Sequence, residues 1–355
     1  MTQPPTSDVF AMLFDHDDHT VEPEPQTGPA MPPGVRLETW RTNLPPAQPR
    51  GSLLRRGPSR KELAEQARQR QLAILAQPMF QSKRILVGNI VGKAGKSTLT
   101  CLLAGGFAHW SGRGVVVVEN SPTGMLRNRL EVVPNPIHDM DELAAALPFL
   151  RQRQDATVIL QNMFAVKQHQ GQFSVILGRQ EDTVNDGTGQ LICKQATLPR
   201  GDVAEILQLA GLAYSFVLID SGNNCADEAW WGSVDKTDLL VLATTWGGSE
   251  LDGAMRILHT LHDTGERRLA ASAIMVATQP PGAPVNQANK VGITNWCRQY
   301  GIPVWEIPPD PAIADRAKPI LWDTLNPTTR ESLLGLCALV KERLHATDTP
   351  YLHGM

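Results

Sequence analysis

The sequence predicts a doubly wound, mostly parallel α/β sheet, and three features predict it. Seven apolar runs recur along the chain: RILVGN (84–89), VVVVE (115–119), FSVILG (173–178), SFVLID (215–220), DLLVLA (238–243), SAIMVAT (272–278) and PVWEIP (303–308). They are continuous rather than alternating, as strands covered on both faces must be. Longer amphipathic segments separate them, at 97–109, 201–212, 249–264, 285–299 and 328–344, which supplies the covering helices. The third feature is the strand-to-helix junction GNIVGKAGKSTLT (88–100), a glycine-bearing turn that opens a helix.

The chain has 355 residues, of which 42% are hydrophobic and 19% charged, enough for one large α/β domain with additional segments. A net charge of −3 gives no global attraction to DNA or anionic lipid, so any nucleic-acid contact requires a local patch. The five cysteines, at 101, 193, 225, 297 and 337, form no C-x-x-C pair and read as reduced thiols. No run of 18 apolar residues occurs, and the first residues lack the basic-then-apolar order of a signal peptide. A cytoplasmic protein without direct membrane insertion is expected.

Taken in order, residues 1–58 hold 11 of the 27 prolines and almost no periodicity, which predicts a disordered tail. Within it SDVFAMLFD (7–15) sets Val9, Phe10, Met12, Leu13 and Phe14 between acids. One reading is a chance cluster; the other is a short helix that docks on a protein partner. HDDH (16–19) has metal-ligating residue types but lies in the same acidic tail. A helical linker is expected over 59–80, with Ser59 as its cap, Glu62 at the capping-box spacing and Leu63, Leu72 and Leu75 as a modest apolar stripe. The folded domain then runs over 81–347, and 348–355 is a C-terminal tail. The ending HATDTPYLHGM is not a basic amphipathic helix, so attachment to a membrane through it is not expected.

In doubly wound sheets ligands bind beyond the carboxyl ends of the strands, so the loops after Asn89, Glu119 and Asp220 carry the chemistry. In the first, Gly92 and Gly95 let main-chain N–H groups turn inward, and the helix start adds positive potential. Lys96 would reach the β- and γ-phosphates, Ser97 would ligate Mg²⁺, and Thr98 would touch the α-phosphate. The cradle thus spans Gly92, Lys93, Ala94, Gly95, Lys96, Ser97 and Thr98. Asp220, at the end of a buried run, either holds Mg²⁺ or caps the following turn.

Laid without gaps on K-G-G-x-G-K-[ST]-[ST], residues 91–98 read V-G-K-A-G-K-S-T, and here the chain resembles the ParA/MinD family of deviant Walker A ATPases in the SIMIBI class of P-loop NTPases. The resemblance covers roughly 84–345. It implies ATP with Mg²⁺ and a nucleotide-dependent homodimer. Two positions depart from the pattern: the signature lysine falls on Val91, and the second glycine on Lys93. VVVVENSPTG (115–124) resembles switch I, V-x-x-I-D-x-D-P-x-G, with Pro122 and Gly124 matched and the two aspartates falling on Glu119 and Ser121. The second aspartate orients the attacking water in the family; a serine there implies slow or partner-dependent hydrolysis, unless Glu119 or a nearby acid substitutes. FVLIDSGNNCADEAWW (216–231) resembles switch II, with Asp220 as the Walker B acid, Gly222 lending its N–H to the γ-phosphate, and Asn223 and Asn224 either sensing that phosphate or shaping the turn. The DSGNN run with its Trp-rich helix is closest in look to actinobacterial ParA/MinD-like proteins.

IPPDPAIADRAKPILW (307–322) resembles the segment that cups the adenine, which implies contacts from Pro309 and Asp310, with Thr278 and Gln279 lining the same pocket. The family positions cargo such as plasmids, chromosomes or membrane complexes. Lys290, Arg298, Arg316, Lys318, Arg330 and Lys341 would form either a DNA-facing patch or scattered solvated charges. Two functions from different classes follow: an ATP-driven switch with ATPase activity, or a nucleotide-binding adaptor with little hydrolysis that acts through its tail. A ligase of the same loop class lacks a small-substrate signature.

Overall fold

The computed structural model describes residues 59–121, 126–131, 139–163, 173–178, 183–185, 191–193 and 197–348. The proline-rich segment, its apolar island at 7–15, HDDH, Pro122, Gly124 and the C-terminal residues beyond 348 lie outside the described residues.

Helix α1 (Arg60–Ala76) starts as its sequence dictates: Ser59 Oγ accepts from Glu62 N at 3.3 Å while Glu62 Oε2 accepts from Ser59 N at 2.6 Å. Its apolar stripe is used only toward the C-terminus, where Leu75 is fully buried; Leu63 is half exposed. Strand β1 (Lys83–Gly88) leads into α2 (Lys96–Ser111), then β2 (Val115–Asn120) and a 3₁₀ turn at Leu126–Arg129. Helices α3 (Met140–Leu150) and α4 (Ala156–Met163) precede β3 (Ser174–Ile176). A small antiparallel hairpin follows, β4 (Thr183–Asn185) with β5 (Leu191–Cys193). The second half alternates α5 (Arg200–Ala213), β6 (Phe216–Ser221), α6 (Glu228–Val234), β7 (Leu239–Thr244), α7 (Gly248–Asp263) and α8 (Arg267–Ser272). It ends with β8 (Ile274–Thr278), α9 (Gln287–Gln299), β9 (Val304–Ile307), the single turn α10 (Pro311–Ala314) and α11 (Pro327–Asp348).

Each of the seven expected strands is present, and they form one sheet in the order β3-β2-β6-β1-β7-β8-β9 with every pairing parallel. Strands β6 and β7 are buried at every residue, which is what their uninterrupted apolar runs require. The chain leaves β1 for β2 by passing beyond β6, and leaves β6 for β7 by passing beyond β1. The order therefore reverses between β1 and β6, and a ligand crevice opens at their carboxyl ends. Register sets what meets there: Val87 pairs with Asp220, and Glu119 pairs with Asp220 from the other side.

Helix α1 packs on α11 through Arg68–Glu331 and Arg70–Glu342 pairs at the surface, and through one buried cation. Lys341 is fully buried, and its ammonium donates to the carbonyls of Leu75 and Gln77 at 2.6 and 2.5 Å, closing the end of α1. Burial pulls its pKa down to about 8. Lys341 is thus neither part of a DNA-facing patch nor a solvated charge, while Lys290 is paired with Glu306 and Lys318 with Asp315. Cys101, Cys297 and Cys337 are buried free thiols and Cys225 a half-buried one. No helix among the described residues is long and apolar enough to cross a membrane.

Candidate functional site

The loop between β1 and α2 is shaped from beneath by Asn89, which is completely buried. Its amide donates to Ala243 O at 2.7 Å and Glu250 O at 2.8 Å, and its carbonyl oxygen accepts from Val91 N at 2.8 Å. Val91 then turns toward α7, where Gly253 makes room: a Cβ on Gly253 would lie 2.6 Å from Val91 Cγ2 and 2.3 Å from Asn89 Oδ1. Val91 is thus half-buried against α7.

Lys93 has φ 68°, the left-handed region that costs an L-residue about 1 kcal/mol. The backbone of this exposed lysine thus holds a conformation that glycine adopts more readily. Gly95 has φ 92°, and a Cβ there would lie 2.7 Å from Thr278 Oγ1, so both conformation and space demand glycine. Helix α2 starts at Gly95 with no side-chain cap, leaving its first-turn N–H groups and their dipole for an anion.

The walls around this loop enclose a cavity of about 590 Å³. Lys93, Gly95, Lys96, Ser97, Thr98, Asp220 and Asn223 line one side, and Ala314–Ala317 with Arg129 the other. Four cations (Lys93, Lys96, Arg129, Arg316) face two carboxylates (Asp220, Asp315), a balance suited to a polyphosphate. Lys96 is 9% exposed; its ammonium donates to Val91 O at 3.3 Å and to Asn223 Oδ1. Burial lowers its pKa, and the neighbouring Asp220 opposes that. Asp220 is 1% exposed, and its Oδ1 has no hydrogen-bond partner. Burial raises its pKa to about 6, against the hydroxyls of Ser97 and Thr100 and the charge of Lys96. A buried carboxylate oxygen left unpaired beside the Ser97 hydroxyl is the all-oxygen donor set that a hard cation such as Mg²⁺ takes.

Glu119 lies elsewhere. It is 4% exposed, its Oε1 accepts from Leu126 N at 2.8 Å and its Oε2 from Gly178 N at 3.0 Å. Burial and the charge of Asp220 push its pKa to about 7. Both oxygens are committed to fixing the 3₁₀ turn against the end of β3. Glu119 lines a neighbouring cavity of about 480 Å³ and not the phosphate cavity. Ser121 and Asn223 stand in the wall shared by both. Gly222 N donates to Asn120 O at 2.8 Å, so this N–H is engaged within the chain rather than turned to the phosphate position.

At the far end, Gln279 and Thr278 line a crevice with Pro280 and Arg316, and Gln279 is 7% exposed, its amide bonded to Trp246 N and to the Ala283 and Pro284 carbonyls. Asp310 is structural: Oδ1 accepts from Ala312 N and Oδ2 from Asn326 N, at 2.9 and 2.8 Å. Neither it nor Pro309 lines these cavities, whereas Ala314–Ala317, a few residues on, do. Sequence reasoning also passed over Asn89 and Arg129. Their only signal was a polar residue next to an apolar run, common at strand and turn ends.

The chain covers 75% of its length on a ParA family ATPase from Chlorobium tepidum TLS, at 16% identity, 98% of that chain and a TM-score of 0.50. It covers 72% on the septum site-determining protein MinD of Pyrococcus horikoshii OT3, solved with Mg-ADP, at 18% identity, 94% of that chain and a TM-score of 0.52. The cell division ATPase MinD of Pyrococcus furiosus is similar at 18% identity over 75% and 99% of the two chains, with a TM-score of 0.52. No protein-family model and no curated protein matches the sequence. These likenesses define the fold class: the architecture is that of the ParA and MinD ATPases.

Proposed function

We propose that the protein is an ATP-binding switch of the ParA/MinD kind. The observation that carries this reading is the cradle itself: Gly95 in the left-handed region against Thr278, an uncapped α2, and Lys96 facing the unpaired Asp220 oxygen. Lys96 would neutralise the β- and γ-phosphates, with Ser97 and Asp220 as the residues that hold Mg²⁺ and Thr98 beside the α-phosphate. When bound, the metal would supply charge neutralisation to the phosphates. A phosphate arriving at Lys96 displaces Asn223, which releases the segment after β6; this is the element through which occupancy is communicated to a partner. The MinD fold solved with Mg-ADP is consistent with the ligand class.

Turnover is slow or partner-dependent in this reading, because Ser121 offers no carboxylate and Glu119 is engaged by Leu126 and Gly178. Those same observations support the alternative, an adaptor that binds nucleotide with little hydrolysis and acts through segment 7–15. Steady-state phosphate release, with and without DNA, separates them: a rate equal to that of Lys96→Ala removes the ATPase reading. The cargo, DNA contact through the remaining basic residues, nucleotide-dependent dimerisation and cytoplasmic location belong to this proposal.

A further inference from the structure

Among the described residues, Arg129 is a cavity-lining cation that the family pattern does not account for. It is 1% exposed and ends the 3₁₀ turn that Glu119 anchors through Leu126. Its guanidinium donates to three main-chain carbonyls of one loop: Asp315 and Lys318 from Nη1, the latter at 2.9 Å, and Ile313 from Nη2 at 3.0 Å. Its own carbonyl accepts from Ile320 N at 3.1 Å, so side chain and backbone grip the same stretch. That loop forms the cavity wall opposite the phosphate cradle, and Arg316 crosses from it to donate to Lys93 O at 2.8 Å. The planar, five-donor fork suits a loop that curls several carbonyls around one point, which an ammonium matches less well.

We propose that Arg129 is a positioning residue for the nucleoside end of the ligand: it holds the 313–318 wall in place and links that wall to the segment after β2. The inference rests on the nucleotide reading above. Lys96, Ser97 and Asp220 line the main cavity but not the adjoining crevice, whereas Ala314 and Arg316 of the Arg129-held wall line both, and the crevice adds Thr278, Gln279 and Pro280. Three of its five N–H donors hold carbonyls of this wall, so its role runs through the loop, while its buried Nε has no partner.

The test compares two ligands on the full-length protein by calorimetry: MgADP, which needs both ends of the cavity, and magnesium tripolyphosphate, which needs only the cradle. Arg129→Met should weaken MgADP about tenfold and leave tripolyphosphate within about twofold of wild type. Arg129→Lys, which keeps the charge, should weaken MgADP about threefold with the same selectivity and lower the unliganded melting temperature less than Arg129→Met does; it decides the matter if the Met variant does not fold. Equal loss of both ligands, or MgADP binding by Arg129→Lys as tight as wild type, overturns the inference. Failure of the wild-type protein to bind either ligand overturns the nucleotide reading itself, and this inference with it.

Discussion

Replacing Asn223 with alanine should tighten nucleotide binding. In this structure the Lys96 ammonium has two acceptors, Val91 O at 3.3 Å and the Asn223 carboxamide oxygen, and a phosphate entering the cradle must take the place of the second. A hydrogen bond to a charged donor contributes about 1.5–3 kcal/mol net. Asn223 is exposed, however, so water replaces the lost amide readily, and about 1 kcal/mol is the working figure. That corresponds to about a fivefold lower Kd for MgADP, read by titration calorimetry. Val91 O is untouched by the substitution, so the lysine keeps its orientation. MgADP binding that is unchanged or weaker in Asn223→Ala would refute the view that this side chain competes with phosphate for Lys96.

Gly95→Ala should reduce MgADP affinity at least tenfold in the same assay, since its φ of 92° and the 2.7 Å approach to Thr278 Oγ1 both oppose a Cβ; wild-type affinity would contradict the cradle geometry. Val91→Lys with Ser121→Asp should raise steady-state phosphate release about tenfold or more by placing a carboxylate in the wall between the two cavities, and no increase would mean these losses do not limit turnover. The lysine must also leave the contact with Gly253, so the double variant should melt lower than Ser121→Asp alone. The pH dependence follows from Glu119, whose folded pKa is raised from 4.5 to about 7. An acid favoured in its protonated form stabilises the fold below its unfolded pKa and loses that contribution as pH rises through the folded one. Measured as the difference from Glu119→Gln, the melting temperature should therefore fall between about pH 4.5 and 7, by an amount corresponding to at most about 3 kcal/mol, and a difference that rises across that window would contradict the burial of Glu119.

The sheet was legible because burial on both faces leaves a residue-level trace: each of the seven uninterrupted apolar runs became a parallel strand. Hairpin β4–β5 and helices α3, α4 and α8 were not foreseen, being short elements whose pattern is no longer than chance allows. At the site, the phosphate-loop residues were readable as a contiguous motif, and Lys96, Ser97 and Asp220 do converge on one cavity. What the sequence could not convey was partnership across the chain. Asn89 with Ala243, Arg129 with the 313–318 carbonyls and Lys341 with the end of α1 are polar residues whose roles exist only once distant segments meet. Lys341 illustrates this, since by charge it read as part of a DNA-facing patch or as a solvated lysine, and by structure it is a buried helix cap.

If main-chain amides, Lys96 and Asp220 form one polyphosphate site, titration of full-length protein with MgATP or a slowly hydrolysed analogue, alongside Lys96→Ala, will reveal it. Wild type should bind one ligand per chain, and the variant should bind at least a hundredfold more weakly. Absence of heat from the wild-type protein, or equal affinity in Lys96→Ala, would contradict it.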